Sequence, residues 1–320
     1  MKKVIFLFAM VFAVSMAMAQ NISTVNQAGN LQEASVSQDG SNSSLVNQTT
    51  TQLTGGKQTS TVIQQGTNVS TITQNNSGGT ATSPNDAFIQ QIGSNNSTQS
   101  STSSGNQDHD LWGYQDGTGN VLTQTSTGGY TIDLKAEQYG TTNTATQTAT
   151  GSSYTDARIK QDGTDNQASQ FIYGSNNGYS SAVILIDQLG ADNTALQTFA
   201  GNGSNHKNNG VINQDGDLNT ATQTANGRSL DLQITQTGVS NEATQIVSGN
   251  NYGLVPAGLI KITQSGDDNQ ATQTADGDGI IGTILQTGNL NIASMFQTGD
   301  LHTATIIQTG NSNLATVSQQ

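Results

Sequence analysis

The 320-residue chain contains no cysteine, only two prolines, one tryptophan and three histidines, and aromatic residues make up 5% of it. Without cysteine there is no disulfide framework and no thiolate metal site. Charged residues are scarce at 10%, and large apolar residues are too few for the ordinary core that a chain of this length would build, about two domains by length alone. The histidines offer little for a metal or acid–base centre. Asp108, His109 and Asp110 read as a loop, His206 falls in an inserted segment, and His302 stands where a repeat elsewhere has Asn. No Ser-His-Asp or paired-carboxylate arrangement recurs with acid–base spacing, and the few Lys and Arg are scattered rather than clustered as a β-helical lyase requires. No enzyme, cofactor or metal site is therefore expected. Nine basic residues against 22 acidic ones give a net charge of −13, which repels nucleic acid and anionic membranes.

Long apolar runs are missing too, save for one at the start. Lys2 and Lys3 precede an apolar stretch from Val4 to Val14, and Ala17-Met18-Ala19 gives a small-x-small site before Gln20. Residues 1–19 read as a secretory signal peptide; a membrane anchor is the alternative, disfavoured by the short run and the site that follows it. No later segment is apolar enough for membrane insertion, and a secreted, extracellular or cell-surface location is expected.

What the chain has in abundance is Gly, Gln, Asn and Thr, held in register. From Gln286 one unit repeats every eleven residues: Gln286, Gly288, Asn291, Ala293 and Met295 lead to Gln297; Gln297, Gly299, His302, Ala304 and Ile306 lead to Gln308; Gln308, Gly310, Asn313, Ala315 and Val317 lead to Gln319. Asn, Ala, an apolar residue and Gln fall at every second position, the side-chain period of a strand. The glycine between them supplies the positive φ of a tight turn. Disorder has no reason to hold such a register.

The same unit starts at Asn21, Ser23, Val25 and Gln27, with Gly29 leading to Gln32, Ala34, Val36 and Gln38. Two turns look one residue shorter, with Asn42 after Gly40 and Asn68 after Gly66, and the register at Gln64-Gln65 is open. From Gln91 onward insertions lengthen one of the two turns. The six units opened by Gln138, Gln161, Gln188, Gln214, Gln236 and Gln264 obey Gln-x-Gly-x-x-Asn-x-Ala-x-Gln without exception, with glycines Gly140, Gly163, Gly190, Gly216, Gly238 and Gly266 and asparagines Asn143, Asn166, Asn193, Asn219, Asn241 and Asn269. The unit at Gln115 has Leu122 for Ala. That at Gln91 is the weakest, with Asn96 taken as its Asn and Thr98 in the place of Ala. Leu134 and Ala136, Ala157 and Ile159, Ile184 and Ile186, Leu232 and Ile234, Ile260 and Ile262 share the inward face, while Asp133, Lys135, Arg158 and Lys160 point out. The insertions span Ser77 to Asn85, Gly174 to Ser180, Gly201 to Gly210 and Ser248 to Gly258, and take both Pro84 and Pro256, which a central strand excludes.

The expected fold is all-β: a β-solenoid over residues 20–320 with two strands per coil, about twelve coils of parallel strands stacked about 4.8 Å apart in an amyloid-like rod about 55–60 Å long. Stacked Gln and Asn side chains would pair with their copies one coil away and so satisfy buried amides. Open strand edges at both ends, rather than caps, invite end-to-end addition of further copies.

The motif Gln-x-Gly-x-x-Asn-x-Ala-x-x-x-Gln, with apolar residues two and four positions before the first Gln, resembles the curlin repeat of bacterial curli subunits. The resemblance covers essentially all of residues 21–320, with fourteen Gln-x-Gly copies from Gln27 to Gln308. It implies a functional amyloid subunit of a fimbrium, a homopolymer fibre in biofilm matrix and cell adhesion, with an outer-membrane curli-type secretion channel and a nucleator subunit as partners. By motif match the assembly ladder would comprise Gln138, Asn143, Gln161, Asn166, Gln188, Asn193, Gln214, Asn219, Gln236, Asn241, Gln264, Asn269, Gln297, Gln308 and Asn313. The turn glycines would be Gly140, Gly163, Gly190, Gly216, Gly238, Gly266, Gly288, Gly299 and Gly310.

Other readings compete for single features. Asp215 with Asp217, or Asp267 with Asp268, are carboxylates that could take Ca²⁺ weakly, although the calcium-binding glycine-rich nonapeptide is missing and ordinary turn chemistry accounts for them. Gly117-Thr118-Gly119 is followed by neither Lys nor a helix, which excludes a phosphate loop. Trp112 and Tyr114, beside Gly113, suit a loop or edge, or a surface aromatic pair that touches glycan. The outward pairs Thr146/Thr148, Thr222/Thr224 and Thr272/Thr274 would line up as hydroxyl arrays. This keeps open a monomeric surface or secreted solenoid that binds glycan or ice, although Thr favours exposed strand positions in any case.

Overall fold

A computed structural model of the chain describes residues 20–51, 57–77, 85–103, 109–128, 132–151, 155–174, 182–201, 208–250 and 259–320. The expected signal peptide, His206, Asp108, both prolines and the middles of the insertions lie outside them. Every described element is a strand. The first coils comprise β1 (Ile22–Ala28), β2 (Gln32–Gly40), β3 (Ser43–Thr50), β4 (Gln58–Gly66) and β5 (Val69–Asn76). Two 19-residue strands follow, β6 (Asn85–Ser103) and β7 (His109–Thr127), each running through a corner of the solenoid. The middle is built from β8 (Ile132–Thr141), β9 (Thr144–Thr150), β10 (Thr155–Thr164), β11 (Gln167–Gly174), β12 (Ala182–Ala191), β13 (Thr194–Gly201), β14 (Asn209–Asp215) and β15 (Thr220–Arg228). The remainder comprises β16 (Asp231–Thr237), β17 (Glu242–Asn250), β18 (Leu259–Ser265), β19 (Gln270–Asp276), β20 (Ile281–Thr287), β21 (Ile292–Thr298), β22 (Thr303–Thr309) and β23 (Leu314–Gln319).

Each strand except the terminal β1, β2, β22 and β23, which pair on one side, pairs in parallel with strands one coil before and after, so the described segments fall into two facing sheets. A leading sheet of twelve segments runs from β2 through the first halves of β6 and β7 to β22. A trailing sheet of thirteen runs from β1 through their second halves to β23. This is the two-strand coil read from the sequence.

Alternation along each strand sends one face inward, giving the strict buried/unburied pattern of β8 and β16. Two apolar stripes result. One joins Leu134, Ile184, Leu232 and Ile260 to Ala149, Ile172, Phe199 and Ala225; the other joins Ile159, Ile186, Ile212 and Ile234 to Ala145, Ala168, Ala195 and Ala221. Large and small residues trade places across the gap. A Cβ on Gly210 would lie 2.1 Å from Phe199 Cζ, and one on Gly113 would lie 2.6 Å from Leu122 Cδ2, so Leu122 fills the space that its neighbour coils fill with Ile89 or Ala136.

The link from leading to trailing strand has one recurrent geometry. Glycine takes φ between +97° and +136°, and the residue two positions on is left-handed: Thr142, Asp165, Asp192, Leu218, Ser240, Asp268, Leu290 and Ser312 all have φ of 55–58°. In the turns after Gly40, Gly66 and Gly93 that left-handed residue is dropped. The shortening extends to the unit at Gln91, where Asn95 and not Asn96 is buried, with Ser97 rather than Thr98 at the Ala position. Because Gly93 is followed by Asn two residues later, counting three residues, as the longer turns require, selects the wrong neighbour.

Several insertions are shorter than the sequence suggests. Asn85 opens β6, Gly174 and Gly201 close β11 and β13, Asn209 and Gly210 belong to β14, and Ser248 to Asn250 continue β17. His109 and Asp110 begin β7 rather than sitting in a loop, and Trp112 and Tyr114 lie within that strand, away from any loop or edge. Their outward side chains meet rings on neighbouring coils, Trp112 stacked on Phe88 at 4.2 Å between centroids and Tyr114 tilted by 46° against Tyr139 at 5.4 Å.

Candidate assembly ladders

Three files of amide side chains run along the inside of the rod, and register brings them together. In the leading sheet Gln38, Gln64, Gln91, Gln115, Gln138, Gln161, Gln188, Gln214, Gln236, Gln264, Gln286 and Gln308 stand one above another. Each donates Nε2–H to Oε1 of the next at 2.8–2.9 Å. Gln64, buried and bonded on both sides, is thereby the inward member of the Gln64-Gln65 pair. The second amide proton goes across the corner, as in Gln138 Nε2 to Asn143 O at 2.9 Å, so no donor is left over.

The Asn file occupies the trailing side of that corner, unbroken from Asn21 to Asn313. Its Oδ1 atoms accept both the backbone N–H and an Nδ2–H of the Asn one coil on: Asn219 Oδ1 receives Asn241 N at 3.1 Å and Nδ2 at 3.0 Å. Asn219 Nδ2 in turn donates to Asn193 Oδ1 at 3.1 Å and to Gly238 O at 2.8 Å. The Gln file thus donates forward along the chain, whereas the Asn file donates backward.

Glycines pack the same corner. Gly140, Gly163, Gly190, Gly216, Gly238, Gly266, Gly288 and Gly310 belong to one file in which a Cβ on Gly216 would fall 2.1 Å from Gly238 O. Gly299 belongs to the opposite corner, after Gly277. His302 stands there too, level with Ile280, so it replaces Asn in the motif without entering the Asn file. Turn carboxylates bond backbone rather than one another: Asp217 Oδ1 accepts Ala191 N–H at 2.8 Å and Asp267 Oδ1 accepts Val239 N–H at 3.0 Å. Among the described residues no group of three or more His, Cys, Asp or Glu is placed to hold a metal.

The third file is a trailing-sheet Gln ladder absent from the expected set. Gln99, Gln124, Gln147, Gln170, Gln197, Gln223, Gln245 and Gln273 stand four residues after their Asn or its equivalent and bond in sequence. Between the two apolar stripes these amides also reach the facing sheet, as in Gln147 Nε2 to Ala157 O at 3.0 Å. At both ends of the rod the trailing Gln moves two residues further on. Gln27, Gln48 and Gln74 form one short ladder, and Gln297 with Gln319 another. Gln297, expected among the unit-opening glutamines of the assembly ladder, instead lies in the trailing sheet level with Ala275, while Gln273 meets Met295 Sδ at 3.4 Å. Each change of phase leaves one buried carbonyl without a partner, Gln99 Oε1 beside Ile72 and Gln297 Oε1 beside Ala275.

The outward faces carry weaker electrostatics. Asp110, Asp133 and Asp156 stand level on successive coils. Burial, then the Asp156 charge, raises the Asp133 carboxyl above its ordinary range, opposed by Arg158 and Lys135. Arg158 is itself raised by its bond to Asp156, at 2.8 Å. Burial, then Asp116, raises the Tyr114 hydroxyl. The threonine files are interrupted by Leu196, Phe171, Ile246 and Phe296.

Residues 282–310 and 288–320 match the Curlin associated repeat. No curated protein is similar enough to the chain to count as a relative.

Proposed function

From curlin-type repeats in its last coils and amide ladders running the length of a β-solenoid, we propose that the chain is the structural subunit of a secreted extracellular fibre of curli type, serving in biofilm matrix and cell adhesion. Copies add end to end, each continuing the strand stack of the last. The supporting observation is the one-way sense of the ladders. At the β22/β23 edge Gln308 and Gln319 have a donor directed onward and Asn313 has a free Oδ1; at the β1/β2 edge Gln27 and Gln38 have free Oε1 atoms. Donors meet acceptors only when copies stack head to tail, and each pair so formed avoids the cost of about 1–3 kcal/mol that burying either group without a partner would carry. Export through an outer-membrane channel and growth from a nucleator subunit belong to the same reading. The interrupted threonine files weigh against a flat ice- or glycan-binding face.

The test is thioflavin T fluorescence of the chain from Gln20 onward after dilution from denaturant, with and without preformed seeds, checked by electron microscopy and fibre diffraction. A lag abolished by seeds, with fibres giving a reflection near ~4.8 Å, is expected. A stable monomeric rod that never seeds would refute the fibre.

A further inference from the structure

Resting on the fibre reading, we propose that copies join by strand replacement: β23 of one copy docks on β3 of the next, in the place that β1 holds in the isolated chain. Three observations lead there. First, Asn21–Gln27 reads Asn-Ile-Ser-Thr-Val-Asn-Gln and Asn313–Gln319 reads Asn-Leu-Ala-Thr-Val-Ser-Gln; four of seven positions are identical and the others exchange Ile for Leu, Ser for Ala and Asn for Ser. The two segments share the end phase of the trailing Gln, six residues after Asn, which β3 also has and the middle coils lack.

Second, β1 is the least anchored strand, exposed at every residue, whereas β3 buries every second one. Third, the strand order forces a choice. Chain order alternates between sheets, yet β1 and β23 both lie in the trailing sheet. Laying β1 of one copy on β23 of another puts two trailing strands in succession, and leaves a strand-wide gap, about 4.8 Å, between β22 and the incoming β2. Removing β1 restores the alternation β22, β23, β2, β3 and closes both sheets.

The side chains then meet their own kind. Gln308 reaches Gln38, Ile306 packs level with Val36, and Ala304 with Ala34. In the other sheet Gln319 donates to Gln48 as Gln27 now does at 2.7 Å, and Asn313 Oδ1 receives the Asn42 N–H that now goes to Asn21 at 3.1 Å. The displaced β1 gives up one edge pairing and a similar one, lacking only the outward Asn26–Asn47 bond, replaces it, so the exchange is near balance while the leading sheet gains a new strand contact.

The native absence of cysteine makes the junction readable by disulfide. Thr24 and Leu45 are level in the β1/β3 pair, and Thr316 holds the place of Thr24 in the replica strand, all with side chains facing outward. Fibres of the Leu45→Cys/Thr316→Cys variant, oxidised and then dissolved in denaturant, are expected to give a covalent ladder on a non-reducing gel, and those of Thr24→Cys/Thr316→Cys only monomer. A ladder from the second variant, or fibres with a ladder from neither, overturns strand replacement. A second arm uses a chain lacking residues 21–28: it is expected to elongate seeds of the unaltered chain without loss of rate, and loss of elongation overturns the proposal. Failure of the unaltered chain to form fibres at all would instead remove the fibre reading.

Discussion

Removing one rung from the middle of the Asn file should cost far more than removing one at its end. In Asn219→Ala the lost Oδ1 strands two donors of Asn241, its backbone N–H and one Nδ2–H, at a residue with 0% exposure, and Gly238 O loses its partner as well. At about 1–3 kcal/mol for each buried group left unpaired, the two donors alone amount to about 2–6 kcal/mol. Asn313→Ala removes only bonds from Nδ2, to Asn291 Oδ1 at 2.8 Å and Thr309 O at 3.2 Å, from a partly exposed site, and should cost about 1 kcal/mol. Urea unfolding of dilute chain followed by far-UV circular dichroism measures the first difference, and hydrogen exchange at the Asn241 amide localises it. Equal shifts for the two variants, or an Asn241 amide as protected as before, would show that the ladder is not a linked unit. In fibres the contrast should vanish, because Asn313 then becomes an interior rung.

Three further outcomes follow from the packing. Gly216→Ala places a methyl 2.1 Å from Gly238 O and should abolish cooperative unfolding, whereas Gly151→Ala, with φ +64° and nothing within 4 Å, should lower stability by about 1–2 kcal/mol, both measured by denaturant titration. Leu122→Ala should cost about 2–5 kcal/mol and Gly113→Ala about 1–3 kcal/mol, yet the double variant reproduces the neighbouring Ala136/Ala145 pair and should cost clearly less than the sum; additivity in the double-mutant cycle would contradict the fit. Asp133→Asn relieves a level file of carboxylates and should stabilise by about 0.2–1 kcal/mol at pH 7. Because the folded carboxyl is raised, its penalty is present at neutral pH and disappears as pH falls through the raised value toward about 3.9, so the variant's advantage should fade across that acid range in thermal melts, and a pH-independent gain would exclude this cause.

The period of two within each unit, and the eleven-residue repeat, were enough to read strands, inward face and coil, because burial of one face imposes alternation on the residues themselves. The leading Gln and Asn files were legible for the same reason. Less visible were features set by neighbours in space. Asn95 is chosen by a turn one residue shorter, which a fixed count from glycine misses. The trailing Gln of each unit was legible as an inward residue, but not where its ladder ends, because a shift of two residues keeps a side chain on the same face: Gln297 and Gln273 look equivalent along the chain, yet Gln297 lies level with Ala275. Nor does local sequence announce that Leu218 and Leu290 take left-handed backbone, since Leu does not prefer it; the Asn one residue on, tied to its file, fixes the turn around them. The strand character of Trp112 and Tyr114 depends on the leading strands of the coils before and after, which pair with that stretch on both sides.

The change of phase in the trailing amides gives coils that otherwise look interchangeable something like an address. A chain of near-identical rungs risks pairing a strand with the wrong neighbour, one coil too early or too late. Within the middle, a strand that skipped a coil would still find Gln above Gln and Asn above Asn, and only pairs such as Phe199 with Gly210 would object. Across the boundary at Gln74 and Gln99, or at Gln273 and Gln297, the same slip would trap a further amide against an aliphatic side chain. The unpaired carbonyls of Gln99 and Gln297 are thus the marks that divide a monotonous rod into a beginning, a middle and an end.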